Sequence, residues 1–542
     1  MRSSWSRARG VLLVAAALAA CPAAARAQTW SAASDQRFFG QSVPRSVFLS
    51  QLRYPGVADD TVTDRWAAQL RLRGGVRGRP TDGLTLVAEL DTGLLELAND
   101  GTRLDGRPVG DQVQRTLLLG PVYAELQLGE TGVVLARLGK MRTRVGEGAL
   151  FSAYALGLLI DVDLGLAWPS HPWQLRAQAL FPSGELVKGT FTSPLFTTEL
   201  AYRFSRRTQV RLHGAAYLDR GGLGPVVADA GTRGRAARIE AAFAARNLPP
   251  EGVVCDPSDD VGRRELGELV ACVRDALVIG TNDGTFAYDA ETRGTLGWTG
   301  ISAEAGGARW QATALFLYGF GAVQAQLHAN GTLRQAAEAR QAEVQADAGP
   351  LTRIIAERAA AALTDVLDPS GRVQLGAWLA QATGRVWLTD DLRLDAFVLA
   401  LSGDEGLGNL SQGTQRYGAF VSLAPFLPHT SLFFNGGAAS MVSSPVVTAL
   451  APDAAGLVSG GLGAELFFGE ALRVRGVVAA MGSLVGNAAG ANFEGVEVDL
   501  SADYVATEWL LVLVDGALLV PGPYFGDVPL GYQLIAGAAV SL

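Results

Sequence analysis

Cysteine and histidine are scarce in this chain of 542 residues, three of the one and four of the other. Neither falls into a CxxC or HExxH spacing, so no metal or other cofactor is expected. A G-x-S-x-G nucleophile motif is missing too, and the chain does not read as an enzyme. After residue 27 there is no run of about 18 apolar residues, since the best candidates are broken by Asp161, Asp163 and Asp515. That excludes a membrane-spanning helix. Positive charge is not in excess either: the formal net charge is −8, which argues against a nucleic-acid partner. Nor does a Pro- or Ser-rich linker divide the chain, which reads as one unit.

What is present begins with a leader. Residues 1 to 10 carry Arg2, Arg7 and Arg9 without an acid, residues 11 to 20 read VLLVAAALAA, and ARAQ follows. This is the pattern of a secretory signal peptide over 1–27, cleaved after Ala27. The stretch LAAC, ending at Cys21, leaves lipoprotein processing as an alternative. In an exported protein Cys255 and Cys272 are expected to form one disulfide, two unpaired buried thiols being the other reading.

From residue 65 the sequence alternates. Leu70, Leu72 and Val76 share one side of RWAAQLRLRGGVRGRPTDGLTLVAELDTG, with Arg71, Arg73 and Arg77 on the other. After the turn at Pro80–Gly83, Leu84, Leu86, Ala88 and Leu90 oppose Glu89 and Asp91. Period two across a short polar turn is a β-hairpin. The pattern recurs nearly to residue 542, and its charged side includes Glu125, Arg137, Asp161, Asp163, Arg176, Glu199, Arg203, Arg211, Arg393, Asp395, Arg473, Arg475, Glu497, Asp499 and Asp503. Tight connections (GETG at 129–132, PSHP at 169–172, SRR at 205–207, TDD at 389–391, LPHT at 427–430, GEA at 469–471, ATE at 506–508) alternate with long polar ones.

Tight turns at one end and long loops at the other are the layout of a transmembrane antiparallel meander β-barrel. The barrel is expected to occupy residues 28–542, in the outer membrane of a Gram-negative bacterium, with about 18 to 20 strands. An even strand count requires one strand before Trp66, and SVFLSQLRY (46–54) is the candidate. The apolar face then meets lipid, including lipopolysaccharide, and the charged residues named above become pore-lining candidates. A soluble β-rich secreted protein would alternate in the same way; strand number and the single-unit organisation favour the barrel.

Two stretches interrupt the meander. Residues 220–293 hold the cysteine pair and GRRELGELVACVRDALV, where Leu266, Leu269, Val270 and Val273 have helical spacing. Residues 321–371 hold an Ala-, Glu- and Arg-rich segment broken at Gly349-Pro350, read as two helices. Both are expected on the long-loop side, as a constriction or as an outer ornament. His213, the one histidine in the middle of a predicted strand, is read as a polar wall residue rather than a base.

FLSQLRYPGVADDTVTDRWAAQLRLRGGVRGRPTDGLTLVAELDTG (48–93) resembles the first three strands of bacterial outer-membrane porin-like barrels, especially the alginate-export type. RLGKMRTRVGEG (137–148) is similar to the strand end and Gly-rich segment such porins place near the mouth of the pore. The last strand departs from the pattern, ending on Leu542 where many relatives have an aromatic residue. The resemblance implies passage of small hydrophilic or anionic solutes and insertion by the barrel-assembly machinery. The competing reading is a surface structural or adhesive barrel acting through its two insertions.

Overall fold

The computed structural model describes residues 29–45, 63–91, 95–99, 118–129, 132–168, 172–182, 193–234, 288–329, 367–408, 410–423, 427, 429–431, 433, 447–449, 454–487, 490–526 and 530–541. Cys255, Cys272, the leader and the two segments expected to be helical, 262–278 and 333–366, lie outside the described residues.

Strand β1 (Thr29–Arg45) pairs with β2 (Thr63–Thr81), and β3 (Leu84–Asp91) is continued by β4 (Leu95–Asn99) against the same partner. There follow β5 (Leu118–Leu128), β6 (Val134–Val145), β7 (Phe151–Asp163), β8 (Trp173–Pro182), β9 (Leu195–Ser205) and β10 (Thr208–Arg220). Next come β11 (Tyr288–Gly306), β12 (Trp310–Ala329), β13 (Ser370–Trp387) and β14 (Leu392–Leu401). A short β15 (Gln415–Tyr417) lies parallel on β13, while β16 (Val421–Leu423) and β17 (Val447–Ala449) form a separate two-stranded sheet. The chain closes with β18 (Leu457–Phe468), β19 (Leu472–Gly482), β20 (Phe493–Thr507), β21 (Leu510–Pro521) and β22 (Gly531–Ser541).

Twenty of these strands make one sheet, and β22 returns to pair antiparallel with β1. With β4 counted as part of β3 and β15 set aside, eighteen antiparallel strands go round. That is the lower end of the sequence expectation and the even number it requires. The strand preceding β2 is Thr29–Arg45, upstream of the stretch 46–54 that the alternation selects, which lies outside the described residues. The strands also reach into both insertions, with β11 starting at Tyr288 and β12 running to Ala329.

Period-two alternation sends large apolar side chains outward. Leu138, Leu212, Val398, Leu462 and Leu500 are all exposed, Leu462 by 71%. In water such a surface would drive association; around a closed barrel it is the lipid face. Aromatic side chains bound the band: Trp173, Phe204, Trp310, Phe468 and Trp509 toward the tight turns, and Phe196, Phe320, Phe493 and Tyr532 toward the long loops. From Trp310 to Phe320 is about 33 Å of strand, or roughly 25 Å of membrane normal at a tilt near 40°, the height of a barrel's apolar band. The fold is a transmembrane antiparallel meander β-barrel.

Two local readings are corrected. The alternation runs on through Leu164 and Leu166, but β7 ends at Asp163, whose carboxylate accepts the Gly165 N–H at 3.1 Å and starts a single helical turn over Leu164–Ala167. LPHT is not a tight turn between two wall strands. It belongs to a connection from Ser402 to Gly456 in which Leu427, Thr430 and Ser431 are buried. Pro, His and Thr between apolar runs carry turn chemistry, but here Leu423 and Phe433 on either side are buried in the interior instead of facing lipid.

Candidate pore interior

On the inner face near the tight turns, charges of opposite sign meet across strands. Arg137 on β6 is opposite Glu125 on β5 in the register and bonds it at 2.5 Å. Arg176 on β8 is opposite Asp161 on β7 and reaches it through Nε at 3.0 Å and Nη2 at 2.7 Å. Arg203 spans Asp163 and Gln174 at 2.7 and 2.8 Å. Arg211 lies among Glu199, Glu304 and Glu147, at 3.6 and 3.5 Å from the first two. Farther round, Asp395 accepts Arg385 and Arg393, Glu465 lies between Arg393 and Arg473, and Arg473 reaches Asp503. Opposite signs at facing inward positions of neighbouring strands make these cross-strand pairs.

Solvent reaches this belt. The side chains of Arg203 and Arg473 are 39% and 51% exposed although they lie on the face opposite the lipid. Pairs this wet contribute at most about 1 kcal/mol each. Glu465 differs, being only 1% exposed between its two arginines. Loss of either arginine would leave a buried carboxylate partly uncompensated.

Toward the long loops the interior is apolar. β6 is followed by Gly146, Glu147 and Gly148, all at positive φ; the two glycines take that conformation freely, whereas Glu147 at φ +53 is strained. The bend turns Ala149 and Leu150 into the barrel, where both are buried. Ser422 donates to the carbonyls of Ala149 and Leu150, and the Leu423 N–H to Leu150 at 2.7 Å. Trp298 Nε1 of β11 donates to the Val421 carbonyl at 3.2 Å. A helix at 224–234 is fastened by the Leu407 N–H to the Ala230 carbonyl, 2.8 Å, and Arg233 Nη1 to the Asp404 carbonyl, 3.0 Å. Gly234 lies so close to Leu407 that a Cβ would stand 1.8 Å from its carbonyl oxygen. Inward residues of the wall, among them Leu317, Val323 and Leu379, complete one continuous apolar core with Phe420 and Leu423.

The inner end of the 402–456 connection rests on acids of β20 and β21. The Ser431 N–H donates to Asp499 at 3.0 Å, its hydroxyl to Asp515 at 3.3 Å, and the Phe433 N–H to Glu497 at 2.9 Å. Next to them His429 stacks on Phe397, centroids 4.3 Å apart, and bonds Gln381 at 3.1 Å. Burial, with the nearby Arg475 guanidinium adding to it, holds its pKa down at about 4.

His213 is buried on β10, its Nε2 2.8 Å from Ser302 Oγ and its Nδ1 3.5 Å from Glu199. The set has the composition of a catalytic triad. However, the Ser302 hydroxyl reaches Glu147 at 3.3 Å, and His213 Nδ1 makes no hydrogen bond. These groups fasten the Glu147 bend to the wall.

Of the sequence candidates, Glu125, Arg137, Asp161, Asp163, Arg176, Glu199, Arg203, Arg211, Arg393, Asp395, Arg473 and Asp503 are brought together in the belt. Glu497 and Asp499 instead hold the inward connection. Arg77 and Arg475 have no ion pair among the described residues. Glu89 has an inward register position on β3. For Arg71, Arg73 and Asp91 only the backbone is described, with Arg73 opposite Asp91. Sequence reasoning missed Glu465, Glu304 and Arg385, whose inward parity in their own strands was available, and Glu147 and Asp515, for which no strand pattern spoke.

No family model matches the chain, and no curated protein does. Solved structures to which it is similar include three proteins of Pseudomonas aeruginosa. OccK9 (OpdG) is 12% identical over 94% of this chain and 99% of that one, with a TM-score of 0.45. OccK5 (OpdH) is 10% identical over 95% and 98%, TM-score 0.43. The outer membrane protein OprD is 9% identical over 94% of each chain, TM-score 0.43. The fold is established by the chain's own closed sheet, and the alginate-export resemblance remains a property of its sequence pattern.

Proposed function

We propose that this protein is a porin-like channel of a Gram-negative outer membrane, inserted by the barrel-assembly machinery after cleavage of its leader, passing small hydrophilic or anionic solutes through a charge-lined, constricted lumen. The observation that carries the reading is the wet belt. Arginine side chains keep a third to a half of their surface open to solvent inside a barrel whose outer face is apolar. Most belt arginines have carboxylate partners, so the field a solute meets there is nearly balanced. Arg77 and Arg475 supply positive charge beyond that balance. The apolar filling above the belt supports a narrow, selective route over a wide one.

The test is single-channel conductance of refolded protein in planar bilayers. Discrete ohmic steps are expected, and Arg475→Glu should move the reversal potential toward cation preference. Correctly folded protein without conductance would leave the barrel standing, defeat the channel, and favour a surface barrel acting through its loops, a reading the packed long-loop half would then support.

A further inference from the structure

The outer wall holds a second pattern, just above the apolar band. On β10 the last outward residue is Arg220, and the backbone register sets it directly opposite Arg293 of β11. Arg293 is opposite Gln324 of β12, which is opposite Arg372 of β13. All four side chains are exposed, and their inward neighbours Asp219, Thr292, Val323 and Val373 are buried, so the row points away from the barrel.

Like charges directly opposite one another destabilise a sheet, yet among the described residues no carboxylate forms an ion pair with any of the three arginines. The row stands two outward positions above Phe320, the aromatic edge of the band. Neighbouring strands are about 4.8 Å apart; Arg220 and Arg293 therefore adjoin, with Arg372 about 10 Å beyond Arg293. Elsewhere on the wall β6 changes in the same way. Its outward residues run Val134, Ala136, Leu138 and then Lys140, Arg142, Arg144. Arginine facing lipid at mid-membrane would cost roughly 2 to 4 kcal/mol, and little near the interface, which fixes both groups at headgroup level.

We propose that the Arg220–Arg293–Arg372 row is a binding site for the phosphate groups of outer-leaflet lipid, of the lipid A type. Guanidinium forks match phosphate oxygens in a bidentate manner, and a phosphate between Arg220 and Arg293 turns their repulsion into a bridge. The site anchors lipid at one sector of the wall and rests on the outer-membrane placement proposed above, not on conduction.

The experiment is native mass spectrometry of the full chain released from micelles containing lipid A that bears two phosphates. Wild type should retain it. The variant Arg220→Gln/Arg293→Gln/Arg372→Gln should bind at least about tenfold more weakly, with Arg293→Gln alone intermediate. Arg206→Gln/Arg207→Gln at the opposite end should match wild type. Lipid A stripped of phosphate should bind wild type and triple variant alike, and millimolar inorganic phosphate should not displace the bound lipid. Equal retention by wild type and the triple variant, indifference to the lipid's phosphates, or displacement by free phosphate would each overturn the site. Retention is read separately from conductance. A barrel that binds lipid A without conducting keeps the site and loses the channel, and one that conducts without discriminating lipid does the reverse.

Discussion

Along β12 the inward side chains change character within a few residues. Gln311 and Thr313 bond Glu304 and Thr383 in the polar half, whereas Leu315, Leu317, Val323, Ala325 and Leu327 are buried in the apolar core. The outward side chains change on a different schedule, apolar from Trp310 to Phe320 and polar from Gln324. One strand thus meets four surroundings: lipid and headgroup outside, water and packed protein inside. Alternation separates outside from inside. What fills the inside is decided elsewhere in the chain, by the segments that fold back into it.

The largest expected effect lies in the packed half. Phe420 is fully buried beneath that core, and Phe420→Ala should cost about 3 to 5 kcal/mol. The readout is protease cleavage within 402–456 and a rise in conductance, with the barrel still heat-modifiable on gels. An unchanged cleavage pattern would mean that the two halves are not distinct.

Next is the lipid face. Leu462→Arg, midway along β18, should cost roughly 2 to 4 kcal/mol and impair insertion, measured as the fraction refolded into vesicles. Easy tolerance of that change would reverse the assignment of the faces.

Acid should then separate the halves without mutation. His429 has its pKa lowered to about 4 when docked, while in water it would titrate near 6.5. Docking carries no proton-linked cost above about pH 6.5, loses stability as pH falls toward 4, and is weaker by about 2 kcal/mol at pH 5. Arg475 faces the same segment and opposes protonation of His429, while Glu497, Asp499 and Asp515 hold its Ser431 and Phe433. Conductance rising between pH 6.5 and 5, and rising less in His429→Gln, is the expected result.

The smallest effect belongs to the wet belt. Arg203→Gln should change stability by less than about 1 kcal/mol yet shift ion selectivity measurably, because Arg203 is 39% exposed inside the barrel. Denaturant melts and reversal potentials together test this.

Much of this was legible in the sequence, and the limits have physical causes. Outward Leu138, Leu462 and Leu500 and inward Arg137, Arg176 and Asp161 follow from a period of two, which carries through wherever one face is lipid and the other water. Where the inner face is packed against protein the contrast fades: Leu317 reads the same whichever side it takes. The apolar runs around LPHT look like wall strands because burial inside a barrel and exposure to lipid select the same residue types. Glu147 escaped because its position depends on a left-handed bend between glycines, and such a bend has no periodicity.

The seam between β1 and β22 has its own consequence. Asp35 is registered with Ser541, a contact spanning roughly five hundred residues, and contacts so distant form late. Until β22 arrives, β1 presents an unpaired row of amides and carbonyls, a template for any passing strand. The order of synthesis and the order of closure are thus opposed: the edge emerging first must wait longest. An escort that shields that edge until the final strand is delivered would govern yield more than the stability of the finished barrel does.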